Sequence, residues 1–256
     1  VRALTTSFWL ARAGNDAAEY EDAFAPRKDG RHSARRLRLA MADGASESML
    51  SGRWADVLTT TWAKSERASM ADVLHAAMTE FEKVLAAYLD ERGRQDRPVQ
   101  WFEEPGLARG AFATLLGLQF TTRRTATGSW TATSLGDTCM FQVRGDELLT
   151  SFPLKSAADF GSSPKLVPSR ADDVDMVVSH MEEREGEWRS GDLFVLATDA
   201  LSAWFLSEVE AGRSPWHQLQ GFSERGQAAF GQWVSGLRTE GRLRNDDVTM
   251  VRVEVL

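Results

Sequence analysis

The sequence predicts an α+β fold built on antiparallel sheets. Segments with strand character follow one another as hairpins instead of alternating singly with helices, which argues against a doubly wound parallel sheet. The helical segments fall in two blocks, one before and one after the main run of strands. A third observation sets the scale. With 256 residues, 43% hydrophobic content and nine tryptophans, the chain can bury a sizeable core. No internal repeat or low-complexity linker interrupts it, so 1–256 is expected to form a single domain.

Each element has its own signal. Arg36–Ala42 alternates and ends at the turn pair Asp43-Gly44. Residues 111–123 and 129–144 are rich in Thr, Phe and Leu, and Ala126-Thr127-Gly128 between them predicts a hairpin. Arg144-Gly145-Asp146 forms a further turn into a short strand over 147–150. Residues 177–188 are expected to be extended. The continuous apolar run 193–198 predicts a strand buried on both faces, and Val248–Val255 alternates as a closing strand. Residues 52–64 carry Trp54, Val57, Leu58, Thr61 and Trp62 at helical spacing. Residues 70–92 place Val73, Leu74, Ala77, Phe81, Val84, Leu85 and Tyr88 on one stripe. Ser69 precedes that helix as an N-cap, with Asp72 three residues on as in a capping box. Residues 200–211 and 224–239 read as two more helices, with Gly212 and Gly241 placed to end them. The hydrophilic stretches 25–33, 92–105 and 155–175 read as surface loops.

Composition excludes several functions. The net charge of -7 gives no general pull toward nucleic acid or an anionic membrane surface. The basic run at Arg35, Arg36 and Arg38 is short and reads as a solvated strand edge. Cys139 is the only cysteine, so neither an intrachain disulfide nor a cysteine-type zinc site is possible. No apolar run approaches the roughly 18 residues needed to span a bilayer, and Val1-Arg2-Ala3-Leu4 has no signal-peptide pattern. A reducing cytoplasm is therefore the expected compartment. The spacing from Cys139 to Arg144 is one residue too short for the phosphate-cradling loop of cysteine-dependent phosphatases, so Cys139 reads as a core thiol. His32, His75, His180 and His217 show no ligand spacing.

The chemical signal lies in where aspartates sit relative to strands. Asp43 follows an apolar strand and precedes Gly44, Asp199 follows the apolar run 193–198, and Asp246 and Asp247 open the last strand. Acids at the ends of buried strands are costly unless something pairs with them. Any one of them alone reads as a turn or cap residue. Together they make sense if they converge on cations, and carboxylates suit hard ions such as Mg2+ and Mn2+. Glycine after Asp43 would let a backbone carbonyl approach the same ion.

Six segments, in order, resemble the motifs of the type 2C metal-dependent protein phosphatases. They are Tyr20-Glu21-Asp22-Ala23, Met41-Ala42-Asp43-Gly44, the looser Arg109-Gly110-Ala111-Phe112-Ala113-Thr114, Ser134-Leu135-Gly136-Asp137-Thr138, the run from Ser190-Gly191-Asp192 to Thr198-Asp199, and Asn245-Asp246-Asp247-Val248-Thr249. The resemblance spans nearly the whole chain and implies a four-layer sandwich, two central antiparallel sheets flanked by helices. It implies that Asp43, Asp199 and Asp246 ligate two divalent ions, Mn2+ or Mg2+, with Asp43 bridging both and Gly44 offering its carbonyl. It further implies that Glu21 acts through metal-bound water and that Asp22 holds or deprotonates the attacking water. Asp137 matches a position associated with a third, weaker metal. A phosphorylated protein is the implied substrate, which makes a Ser/Thr kinase a natural partner.

Four departures stand against the pattern. The phosphate-gripping arginine expected four residues before Glu21 is Ala17, with Arg12 upstream in the same loop. The glycine-rich stretch after Asp43-Gly44 is Ala45-Ser46-Glu47-Ser48. Ala200 stands where glycine usually follows Asp199. The partner expected for a third metal is Ala203, so that metal is expected to be weak or absent. These departures support an alternative, a catalytically silent phosphatase-like module that binds a partner or a phosphorylated segment.

Overall fold

The computed structural model describes residues 1–65, 68–124, 126–161 and 163–256. In chain order the strands are β1 (Arg2–Leu10), β2 (Ala23–Ala25), β3 (Gly30–Ser33), β4 (Arg36–Ala42), β5 (Phe112–Ala113), β6 (Leu115–Arg124), β7 (Thr127–Leu135), β8 (Cys139–Arg144), β9 (Glu147–Phe152), β10 (Val167–Pro168), β11 (Glu182–Arg189), β12 (Leu193–Ala197) and β13 (Val248–Val255). The helices are α1 (Ser51–Lys64), α2 (Met70–Arg94), α3 (Glu104–Arg109), α4 (Val174–Ser179), α5 (Asp199–Glu210), α6 (Pro215–Gln220) and α7 (Phe222–Thr239).

The strands form a six-stranded sheet in the order β3-β1-β13-β12-β8-β9 and a five-stranded sheet in the order β11-β7-β6-β4-β2. Every pairing in both is antiparallel. β12 shows why its sequence is apolar throughout. Phe194 and Leu196 face the other sheet, among Leu39, Phe120 and Trp130. Leu193, Val195 and Ala197 face the opposite way, toward Leu201, Phe205 and Phe230. Period-two alternation thus feeds two cores at once. On the far side of the five-stranded sheet, Trp54, Leu58 and Trp62 of α1 and Leu74 and Phe81 of α2 pack over Ala40 and Ala42. The result is helices, sheet, sheet, helices, the four layers that the resemblance implies. Phe120 and Phe194 meet edge to face between the sheets at 4.8 Å, and Phe141 stacks on Phe205 at 4.0 Å beneath the α5 layer.

Helix ends follow their sequence signals. The Ser69 hydroxyl accepts the Asp72 N–H at 3.1 Å while the Asp72 carboxylate accepts the Ser69 N–H, closing the expected capping box. Gly212 and Gly241 sit just past the ends of α5 and α7 in the left-handed region.

Three expected segments are divided, 111–123 into β5 and β6 and two more. Residues 129–144 form two strands in different sheets, β7 and β8, not one. Between them the chain crosses at Gly136 (φ 109°), where an added Cβ would lie 2.5 Å from the Thr114 methyl group. Residues 177–188 are not extended throughout: α4 comes first and β11 starts at Glu182. Val174, Val177 and Val178 have helical spacing and pack against the α1–α2 layer, and Asp173 caps α4 by accepting the Met176 N–H at 2.9 Å. The helix expected over 224–239 starts earlier, at Phe222, and breaks at Gly226. Of the expected loops, 25–33 contains β3, 92–105 runs into α3, and 155–175 contains β10, with position 162 outside the described residues.

Asp192 locks one end of the sandwich. Its side chain is 1% exposed and forms a two-point ion pair with Arg144, at 2.7 and 2.8 Å. It also accepts the Gln142 amide at 2.9 Å and the Arg189 N–H at 3.0 Å. Removing a buried partner from such a network strands the rest. Asp192→Ala is expected to lower unfolding stability by about 3 kcal/mol, read as a shift in the urea midpoint.

Candidate functional site

The site lies where ends of both sheets meet. β4 delivers Asp43, the start of α5 delivers Asp199, the turn before β13 delivers Asp246 and Asp247, the β7–β8 crossing delivers Asp137, and the stretch before β2 delivers Glu21 and Asp22. Asp22 is 3% exposed and Asp137 6%, whereas Asp43, Asp199 and Asp246 are only partly buried.

Asp43 is at the centre of this group. Burial holds its carboxyl well above the usual carboxylate range, and Asp22, Asp199, Asp246 and Asp137 each push it further in the same direction. No described residue donates a hydrogen bond to its side chain. Its backbone is fixed, since its N–H donates to Thr114 Oγ1 at 2.9 Å and its carbonyl accepts the Thr114 N–H at 2.8 Å. Thr114 breaks the strand expected over 111–123 into β5 and β6, and its hydroxyl also meets Thr138 Oγ1 at 2.7 Å.

Asp22 hangs from two threonines. Thr249 Oγ1 donates to its Oδ2 at 2.6 Å and Thr198 Oγ1 at 3.1 Å. Its Oδ1 is buried with no partner among the described residues. Burial raises its carboxyl well above the normal range against the opposing pull of Thr249, and Asp247 and Asp199 add to the rise. Asp199 is pushed up to about 6, by burial first, with Arg244 pulling the other way. Burial likewise raises Asp137.

Glu21 is held at both carboxylate oxygens, by the Ser46 and Ser51 hydroxyls. Its N–H donates to the Asp247 carboxylate at 2.7 Å, which also accepts the Arg12 N–H at 2.8 Å. The Ala45-Ser46-Glu47-Ser48 stretch therefore has its own work: Ser46 orients Glu21, and Ser48 accepts the Phe112 N–H at 3.0 Å. Gly44 is required for a reason beyond an accessible carbonyl. A Cβ there would lie 2.8 Å from the Glu21 carbonyl oxygen and 2.8 Å from the Ser51 carbonyl carbon.

Ala17 is exposed on a short 3-10 turn. The nearer arginine is Arg12, whose Nη1 donates to Ser46 Oγ at 3.3 Å. Arg12 lines a cleft of about 590 Å³ with Glu21, Ser46, Arg27 and Arg53. Cys139 takes no part in this chemistry. It is fully buried, and burial pushes its thiol up to about 12.

Sequence reasoning missed Ser46, Ser51, Thr198, Thr249 and Arg244 as parts of the site. Asp247 was visible only as the second member of an acidic pair. Among the described residues, no three acidic, histidine or cysteine side chains close to the spacing of a metal cage. What the structure holds instead is a looser group of acids, in which Asp199 makes an ion pair with Arg244. The donors are all oxygen, the chemistry of Mg2+ or Mn2+ and not of zinc or copper. The bare Asp22 oxygen and the crowded Asp43 carboxyl fit such a cation.

No protein-family model matches the sequence, and no curated protein matches it significantly. Solved structures do match along its length. The serine/threonine phosphatase PstP of Mycobacterium tuberculosis superposes with a TM-score of 0.55 at 16% identity, covering 100% of this chain and 99% of that one. The photosystem II phosphatase PBCP gives 0.54 at 12% identity over 99% of each chain. RsbX, in a complex with magnesium, gives 0.52 at 14% identity over 100% of this chain and 96% of that one. The chain therefore has the protein phosphatase 2C-like fold.

Two outcomes follow from this geometry. Gly44→Ala forces the Glu21 segment away and is expected to cost about 1–3 kcal/mol, the usual range for overpacking, measured by thermal melting. The second concerns pH in chelator. Because the folded Asp199 carboxyl titrates near 6, the folded state keeps a proton that the unfolded chain gives up near 4. Stability is therefore lost as pH rises from about 4 to about 6, and Asp199→Asn removes that loss, on the order of 2 kcal/mol. Parallel melts of both proteins across that window check it.

Proposed function

We propose that this chain is a metal-dependent phosphoprotein phosphatase acting on phosphoserine or phosphothreonine. The observation that carries the reading is the convergence of Asp22, Asp137, Asp199 and Asp246, from distant chain segments, around Asp43 in a phosphatase-like fold. Asp43, Asp199 and Asp246, with the Gly44 carbonyl, would hold two divalent ions. When bound, that pair supplies an activated water and offsets charge on the phosphoryl oxygens.

The chain's own residues do the positioning. Thr198 and Thr249 hold Asp22 by Oδ2 and so fix the carboxyl assigned to hold or deprotonate the attacking water. Ser46 and Ser51 fix the Glu21 carboxylate beside it. The cleft lined by Arg12, Arg27 and Arg53 receives the phosphorylated segment. Arg27 is already committed to Asp56 at 2.6 Å, so Arg12, beside Glu21, is the closest replacement for the arginine missing at Ala17. A protein phosphorylated by a Ser/Thr kinase is the substrate class, and Mg2+ and Mn2+ are equally compatible with the donors.

A second reading, a silent module that binds a partner or phosphorylated segment, is favoured by Ala17, by Ala203 and by the open spacing of the acids. Turnover separates the two. Phosphate release from a phosphothreonine peptide is measured with Mn2+, with Mg2+ and with chelator, beside Asp43→Asn and Asp199→Asn. The phosphatase reading expects metal-dependent release that either substitution lowers about a hundredfold or more. Folded, metal-supplied protein that releases nothing overturns it in favour of the silent module.

A further inference from the structure

Of the three aspartates assigned to the metal ions, Asp199 is the one whose carboxylate is already engaged at both oxygens by described residues. Oδ1 accepts the N–H of Ala200, and Oδ2 pairs with Nη2 of Arg244. Asp199 is 13% exposed at its side chain and Arg244 49%, so the arginine reaches in from the rim. The loop that carries it is anchored. The Arg244 carbonyl accepts the Asp246 N–H at 3.1 Å, and Asn245 bonds Ala13 in both directions, at 2.7 and 3.2 Å. Its guanidinium can therefore swing into solvent while the backbone beneath it stays in place. Arg244 also counters the burial of Asp137, on the other flank. Arg238, a turn away, is spent on backbone, donating to the carbonyls of Ala11 and Asp246.

We propose that Arg244 is an internal counter-cation that a divalent ion has to displace from Asp199, and that it thereby sets the metal concentration at which the centre loads. The inference rests on the two-metal reading above. The physical argument is competition for one carboxylate oxygen. A guanidinium hydrogen-bonded to Oδ2 covers the electron pairs a metal needs there, and its positive charge repels the incoming ion. Without an ion, the same guanidinium offsets part of the mutual repulsion among neighbouring acids. A half-exposed ion pair is weak enough to be exchanged, so Arg244 tunes loading without blocking it.

Calorimetric titration of Mn2+ into the whole chelator-stripped chain tests this, with wild type, Arg244→Ala and Arg244→Lys. Melts of the metal-free proteins provide a second readout. Arg244→Ala is expected to bind Mn2+ tighter by up to about fivefold, the most an exposed ion pair is worth, while its metal-free form melts lower. Arg244→Lys keeps the charge without the planar fork and is expected to fall between the two. Binding by Arg244→Ala alone also supports the proposal. A purely structural role would weaken both metal binding and the metal-free fold, and that result overturns the inference. Equal affinities overturn it while leaving the two-metal reading standing. If none of the three proteins binds Mn2+, both fall together.

Discussion

Like charges crowded in a partly dry cleft cannot all stay ionised without a cation among them, and that constraint organises this molecule. Four carboxylates press on Asp43, and burial adds to their effect. A fold with no use for such a cluster would replace one or two of these acids with apolar or amide side chains. Here the surrounding structure instead fixes them one by one: Thr114 at the Asp43 backbone, Thr198 and Thr249 at Asp22, the start of α5 and Arg244 at Asp199. The sandwich serves this arrangement by ending β4, β12 and the β7–β8 crossing near one another and by starting β13 beside them.

The parts of this design legible in the sequence are those whose signal is local. Apolar runs that stop at an aspartate are visible without a structure, so Asp43, Asp199 and Asp246 could be singled out as a set. The capping box at Ser69 and Asp72 and the apolar stripes of α1 and α2 were equally local. The α+β class with antiparallel sheets followed from the clustering of strands. The exact division of 129–144 did not, because its apolar content is the same on both sides of Gly136. What separates the strands is a close approach by Thr114, more than twenty positions earlier.

The contacts that are not legible in the sequence act across the chain. Asp247 accepts backbone N–H groups of Arg12 and Glu21, and Thr249 reaches Asp22. Nothing in the spacing of a serine or threonine announces that it will hold a carboxylate from another segment. The Ala45-Ser46-Glu47-Ser48 stretch illustrates the point. As a sequence it is a departure from a glycine-rich pattern. As a structure it exchanges backbone freedom for two hydroxyls, one on Glu21 and one that ties the loop to the Phe112 N–H. Similarly, β1, β2 and β3 lack strong alternation, and β2 and β3 are only 3 and 4 residues long. They become strands because β4 supplies the other half of the ladder for β2, and β1, β3 and β13 supply it for one another.

The position of β13 has a consequence for how the molecule is made. It pairs with β1 on one side and β12 on the other, so a strand from late in the chain sits inside the six-stranded sheet. Until it emerges during synthesis, β1 and β12 each present an unpaired edge, and the apolar faces of Phe8, Val195 and Phe194 lack their neighbours. The helices α1 and α2 can settle on β4 and β6 long before that, through contacts nearer in sequence. One half of the sandwich is thus free to mature early, while the other waits as a sticky, half-built surface. The acidic cluster, which draws on both halves, is complete only with the turn before β13 that carries Asp246 and Asp247.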